Sequence, residues 1–271
     1  MADNLASFKL FSQGGLNLNR DVLSQGETQP GSAISLVNYE PAVTGGYRKI
    51  SGFSNYYGTV PGTGKVLGVC VANGVNDGIL ACRTPSSGNN YLHYWDDSTS
   101  AWVAVTTSGS PTMTGVSKVR FRRYNWGSPK VVITDSINPA ATYDGTTYTQ
   151  ITHADAPSAP KNASIFQNHL FLSGDPSEDT NLYFSAPYNE NSFAAAEGSG
   201  VINVGFPIVS TKAFRDQLYI FGVNNIKKLV GNNIANFVLE SVTDDLGCLA
   251  ADSVVEIGGD VYFLSQDGYR P

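Results

Sequence analysis

Four aromatic residues, Trp102, Tyr148, Phe193 and Phe237, stand at intervals of 46, 45 and 44 residues. Each follows a short apolar run and a turn, in the passages HYWDDSTSAWVAV, ATYDGTTYTQI, LYFSAPYNENSF and KKLVGNNIANFVL. A second shared element, an apolar hairpin, precedes the last two as SIFQNHLFLSG and KAFRDQLYIFG and returns as VEIGGDVYFLS. A period of roughly 40–50 residues with four short strands per unit predicts an all-β chain, a β-propeller-like repeat of four-stranded antiparallel blades. On this expectation the repeat aromatics are buried between neighbouring blades.

Turn chemistry sets the unit boundaries near residues 64, 117, 162, 208 and 252. In the first unit, Val66–Ala72 reads as a strand, Asn76-Asp77-Gly78 as a turn with left-handed backbone, and Ile79–Arg83, Tyr91–Trp95 and Ala101–Thr106 as the remaining strands. The second unit runs through Val119–Tyr124, Lys130–Thr134, Ala141–Tyr143 and Thr147–Ile151. The Pro-rich stretch HADAPSAPK leaves the sheet, because proline cannot donate to a ladder. The fifth unit turns at Gly258-Gly259 and stops at Pro271, where a third strand should begin. A half-built blade exposes an edge, so the expectation is a longer parent chain, or else completion by another chain.

Residues 1–60 fall outside the period. They are rich in Gly, Asn, Ser and Gln, with brief strands expected around Ser32–Val37 and Tyr47–Phe53. The domain division is therefore an extended N-terminal arm over 1–60 and blades over 61–271. Leu16, Leu18, Ile34, Leu36 and Val37 need apolar cover that so sparse a segment cannot supply itself, which makes an assembly arm the expectation and a loose terminus the alternative.

Charge excludes some functions. With 17 Lys and Arg against 23 Asp and Glu, the net charge of -6 argues against nucleic-acid binding through bulk electrostatics. The three cysteines, Cys70, Cys82 and Cys248, show no CxxC spacing, so buried reduced thiols are expected rather than a disulfide framework or zinc site. Cys70 and Cys82 fall in adjacent predicted strands. The opening residues lack a signal-peptide pattern, and no apolar run reaches the length of a membrane span.

Catalytic signals are absent from the pattern. His93, His153 and His169 lie in different units without metal-ligand spacing and read as structural. Asp175, Glu178 and Asp179 do not match a calcium loop and read as a solvated turn. SQDG at 265–268 misses the spacing of the sialidase Asp-box, and no GxSxG, HExxH or phosphate-loop motif occurs. No enzyme, cofactor or metal is expected. One charge pattern rises above background. In KVRFRRY, strand alternation sets Lys118, Arg120 and Arg122 on one face, either as a basic ladder facing a DNA channel or a subunit, or as charges that keep a strand edge soluble.

The segment GGYRKISGF, with Asn38, Tyr39, Gly45, Gly46, Tyr47, Arg48, Ile50, Gly52 and Phe53, together with FQNHLFLSG, LYFSAPYNENSF, FRDQLYIFG and GGDVYFLSQDGYR, resembles virion proteins of tailed bacteriophages. The nearest family is that of the tail nozzle, or tail-hub, propeller proteins of short-tailed phages. The resemblance implies a structural virion protein of the tail, made in the host cytoplasm. It further implies a hexameric ring that conducts or retains DNA and docks adjacent tail proteins. It carries no catalytic residues, and it gives the basic strand a reason as a lumen or subunit contact. The competing expectation is a carbohydrate- or host-receptor-binding propeller, with Tyr56, Tyr57, Trp126 and Tyr188 as stacking surfaces.

Overall fold

The computed structural model describes residues 15–17, 31–42, 44–54, 57–75, 78–86, 91–109, 111, 113 and 115–271. The chain divides into two units, Met1–Tyr56 and Tyr57–Pro271. In the first, β1 (Tyr39–Pro41) and β2 (Tyr47–Lys49) form an antiparallel hairpin. Gly45 and Gly46 both have positive φ, 93° and 81°, which a side chain would resist. Tyr47 donates its hydroxyl proton to the carbonyl oxygens of Gly15 or Gly31, and Leu16 bridges Ala33. The expected strand at Ser32–Val37 is reduced to that single bridge. Leu18, the Asn76-Asp77 part of the first turn, and Tyr56 lie outside the described residues.

The second unit is a series of five small antiparallel meanders arranged as a β-propeller. Blade 1 holds β3 (Thr63–Ala72), β4 (Gly78–Thr84), β5 (Leu92–Asp96) and β6 (Ala101–Ala104). The two-residue β7 (Thr106–Thr107) then crosses to pair in parallel with the last strand of blade 2. Blade 2 holds β8 (Arg120–Asn125), β9 (Pro129–Thr134), β10 (Ala141–Tyr143) and β11 (Thr147–Gln150). Blade 3 holds β12 (Asn162–Phe166), β13 (His169–Ser173), β14 (Asn181–Phe184) and β15 (Gly200–Asn203). Blade 4 holds β16 (Ser210–Phe214), β17 (Gln217–Phe221), β18 (Ile226–Val230) and β19 (Val238–Thr243). Blade 5 holds β20 (Val255–Ile257), β21 (Asp260–Ser265) and β22 (Gly268–Arg270). The helical content of the described residues is two 3-10 turns, Ala195–Glu197 and Ala251–Ser253.

The blades stack because their middle strands are apolar on both faces, and a sheet of this kind has to be covered twice. Alternation along a strand then sends successive side chains to different neighbours. In β9, Val131 and Ile133 join a core with Leu80, Cys82 and Leu92 of blade 1, while Val132 joins Leu170 and Leu172 of blade 3. In β13, Phe171 faces the other way, into a core with Leu218, Ile220 and Leu229 of blade 4. In β17, Leu218 and Ile220 turn to blade 3, while Phe221 packs with Phe263 of blade 5 at a ring distance of 5.1 Å. Four cores thus join five blades in sequence.

Polar links repeat the same order near the first strands. Val119 donates its amide proton to Leu67, the Thr134 hydroxyl donates to the Lys161 carbonyl, the Asn162 amide donates to the Val209 carbonyl, and the Ser210 hydroxyl donates to the Ala251 carbonyl. Gly68 belongs to this closeness. A Cβ at that position would stand 2.5 Å from the Val119 carbonyl oxygen, so a side chain would force blades 1 and 2 apart.

The four repeat aromatics do not occupy one structural position. Tyr148 lies in β11, 1 % exposed, and Trp102 in β6, half-buried against Trp95 with its indole N–H on the Tyr57 carbonyl. Phe193 is buried in the core between blades 2 and 3, but it sits in the loop before β15, and half-buried Phe237 sits just before β19. The period survives and the register drifts, because the loops before the fourth strands differ in length. Phe171→Ala, at a fully buried position, should cost about 3–5 kcal/mol. Phe237→Ala should cost less than that. Urea unfolding of both variants checks the order, and a loss under about 1 kcal/mol at Phe171 would contradict the packing described here.

Candidate functional site: the axial cavity

Because each blade begins with the strand nearest its neighbours' first strands, five chain segments converge on one cavity of about 370 Å³. Val69 and Cys70 come from β3, Arg120 and Arg122 from β8, Asn162 and Ala163 from β12, Ser210 and Thr211 from β16, and Asp252 and Val254 from the approach to β20. The basic strand therefore lies on the propeller axis. Strand alternation places Val119 and Phe121 against the core of blades 1 and 2 and leaves Lys118, Arg120 and Arg122 along the cavity.

This basic ladder is not an open track, because Asp252 crosses to it from the far end of the series. Lys118 Nζ stands 2.5 Å from Asp252 Oδ2, and Arg120 binds both carboxylate oxygens through Nε at 2.8 Å and Nη2 at 3.0 Å. Partial burial opposes charge on Asp252, but the hydrogen bonds from Arg120 and Lys118 outweigh it and hold the carboxyl at a pKa of about 2. Lys212 takes Glu256 at 3.2 Å. Burial lowers the pKa of Arg122, and the nearby negative charge of Glu256 counters this. Burial also lowers the pKa of Lys161, with the charge of Arg120 adding to the effect.

Asp252 and Glu256 had no motif to announce them. Their signal was the repeat itself: in a ring of blades, the residues before the fifth first strand must come near those before the second.

The other candidates resolve as framework. His169 is buried with Nδ1 2.6 Å from the Ser185 carbonyl oxygen, boxed by Phe171, Phe184 and Phe237. Burial lowers the pKa of His93. Asp175 accepts from Ser158, the Ala159 amide and Ser177, and so fastens the Pro-rich linker to blade 3. Cys70 pairs across the ladder with Leu80, which makes it a diagonal neighbour of Cys82, and all three cysteines are free thiols. Among the described residues no group of three His, Cys, Asp or Glu is placed to hold a metal, and no helix is long and apolar enough to cross a membrane. Tyr57 stacks on Trp95 at 4.4 Å, while Tyr188 is 64 % exposed beside Trp126. Of the arm residues, Leu16, Ile34 and Val37 are exposed and Leu36 is half-buried.

No protein-family model matches the chain, and no curated protein matches it. Among solved structures it is similar to BBS1N, crystallised in complex with ARL6DN, at 8 % identity and a TM-score of 0.45, covering 76 % of this chain and 62 % of that one. It is also similar to PorZ, a bacterial surface component of the type-IX secretion system of Porphyromonas gingivalis, at 11 % identity and a TM-score of 0.46, covering 84 % of this chain and 29 % of that one. The chain spans less than two thirds of the length of either, and these likenesses concern the fold alone.

The Asp252 pair has a defined pH signature. Its folded pKa of about 2 lies below the usual value of about 3.9, so its stabilisation is present in full above about pH 5 and is lost as pH falls towards 2. Asp252→Asn should lower the urea midpoint near neutral pH. The gap to the native chain should close between about pH 4 and pH 2, and a gap constant through that range would show that the ion pair contributes nothing.

Proposed function

We propose that this protein is a structural component of a bacteriophage tail, a nozzle or hub propeller that works through contacts with copies of itself and with adjacent tail proteins in the virion. The observation that carries the proposal is the exposed apolar surface on strands of the propeller and in the N-terminal unit. Val66 and Val71 of β3 are exposed, and so are Val255 and Ile257 of β20. Exposed valines and isoleucines on strands are a docking surface or a liability, and an assembly protein turns them to use. The exposed arm residues Leu16, Ile34 and Val37 add apolar surface of the same kind. The resemblance of GGYRKISGF and the hairpin series to tail propellers supplies the rest. The protein acts as a scaffold and not as an enzyme.

Any DNA path in such an assembly runs between copies. The axial cavity of one propeller is about 370 Å³ and crossed by ion pairs, whereas the major groove alone of a duplex is about 12 Å wide. On this proposal Lys118 and Arg120 tie blade 2 to Asp252 at the entry of blade 5, and the DNA-facing surface belongs to the assembled ring.

A carbohydrate- or receptor-binding module is the second reading, favoured by the exposed ring of Tyr188 beside Trp126. Electron microscopy with analytical ultracentrifugation separates the two. The tail proposal expects closed rings, six-fold by the family resemblance, and no binding on a glycan array. It also expects a chain lacking residues 1–45 to keep its β spectrum while failing to join rings. A monomer that binds a glycan and loses it on Trp126→Ala would sink the tail proposal in favour of the second. Normal ring assembly by the truncated chain would remove the arm from it.

A further inference from the structure

The axial cavity carries more positive charge than its own carboxylates neutralise. Of the residues lining it, Lys118, Arg120 and Arg122 are cationic and Asp252 is the one acid. Asp252 has both oxygens engaged by Lys118 and Arg120, and Glu256, the next carboxylate, is held by Lys212. Half-buried Arg122 forms no hydrogen bond or ion pair with any described residue, and neither does the Lys161 ammonium. A partly buried guanidinium left without an acceptor is costly. A concave pocket with an excess of one sign concentrates ions of the other. The planar fork of arginine matches the oxygens of a phosphate or carboxylate.

We propose that the axial cavity is a binding site for a small phosphate monoester, with Arg122 as the principal ligand of the phosphate and Lys118 and Arg120 lending charge from the Asp252 pair. The cavity, about 370 Å³, falls within the roughly 300–1,000 Å³ of small-molecule sites and exceeds what a bare anion fills. Val69, Ala163 and Val254 line it with apolar surface for an organic body. Thr211 and Ser210 line it too, with hydroxyls already joined to Ser164 and Ala251. This inference is independent of the tail proposal, since the site lies within one propeller and needs no second copy.

The full chain is titrated with inorganic phosphate and with a nucleoside 5′-monophosphate, by calorimetry and ³¹P NMR, against sodium chloride of matched ionic strength. Saturable binding of both is expected, tighter for the monophosphate. Arg122→Gln should weaken it at least about tenfold, while Arg123→Gln, on the opposite strand face, should leave it unchanged. Asp252→Asn should tighten it, because the substitution releases two cations into the cavity, and this variant decides the matter if Arg122→Gln does not fold. No binding beyond the chloride blank overturns the proposal. So does an Arg122→Gln variant that binds like the native chain, or an Asp252→Asn variant that binds no tighter. A monophosphate no tighter than phosphate overturns the ester assignment. Displacement by a single-stranded oligonucleotide as effective, per phosphate, as the monophosphate would assign the site to nucleic acid instead.

Discussion

Burial of both faces of blades 2, 3 and 4 is the constraint on which this propeller depends. No four-stranded meander here could stand alone, because the side chains of its middle strands alternate between two neighbours. Val132 belongs to one core and its sequence neighbours Val131 and Ile133 to another. The same division separates Phe171 from Leu170 and Leu172. Such an arrangement makes stability a sum over interfaces between neighbours, as in other repeat folds.

The axis is governed by a different force. Near the first strands the blades approach so closely that glycine is required at Gly68, and polar side chains take over from apolar ones. Lys118 and Arg120 would repel each other there were it not for Asp252, which arrives from a part of the chain more than a hundred residues away. An ion pair this exposed contributes modestly to stability, since solvent screens it and its side chains lose freedom. Its larger effect is geometric: it ties blade 2 to the entry of blade 5 across the cavity, and it saturates the one lining carboxylate while Arg122 makes no ion pair with any described residue.

Sequence patterning made the blades legible because turn signals and strand periodicity are local. Expected unit starts near 64, 117, 162, 208 and 252 stand beside first strands that begin at Thr63, Arg120, Asn162, Ser210 and Val255. The aromatic period was a weaker guide to position: Phe193 and Phe237 precede their strands while Trp102 and Tyr148 lie within them, since insertions such as the one around Ala195–Glu197 change loop length without changing the period. In the N-terminal unit the apolar residues of 32–37 suggested a strand. There a single bridge formed, whereas the strand expected over Tyr47–Phe53 is kept as Tyr47–Lys49 and pairs with β1 across a turn that Gly45 and Gly46 permit.

What the sequence by itself determined is the class of fold, the number of repeats, the strand on which the basic residues sit and the face they share. These follow from alternation and turn chemistry, which act over a few residues. What only the tertiary structure decided is the meaning of that basic face. Whether Lys118, Arg120 and Arg122 met solvent, DNA, another subunit or an internal acid depended on which residues the packing of the blades brought opposite them. Asp252 and Glu256 were ordinary carboxylates in the linear chain. The curvature of five stacked blades, a long-range property set by packing, made Asp252 the counter-charge of Lys118 and Arg120, gave Glu256 to Lys212, and left Arg122 without an ion pair among the described residues.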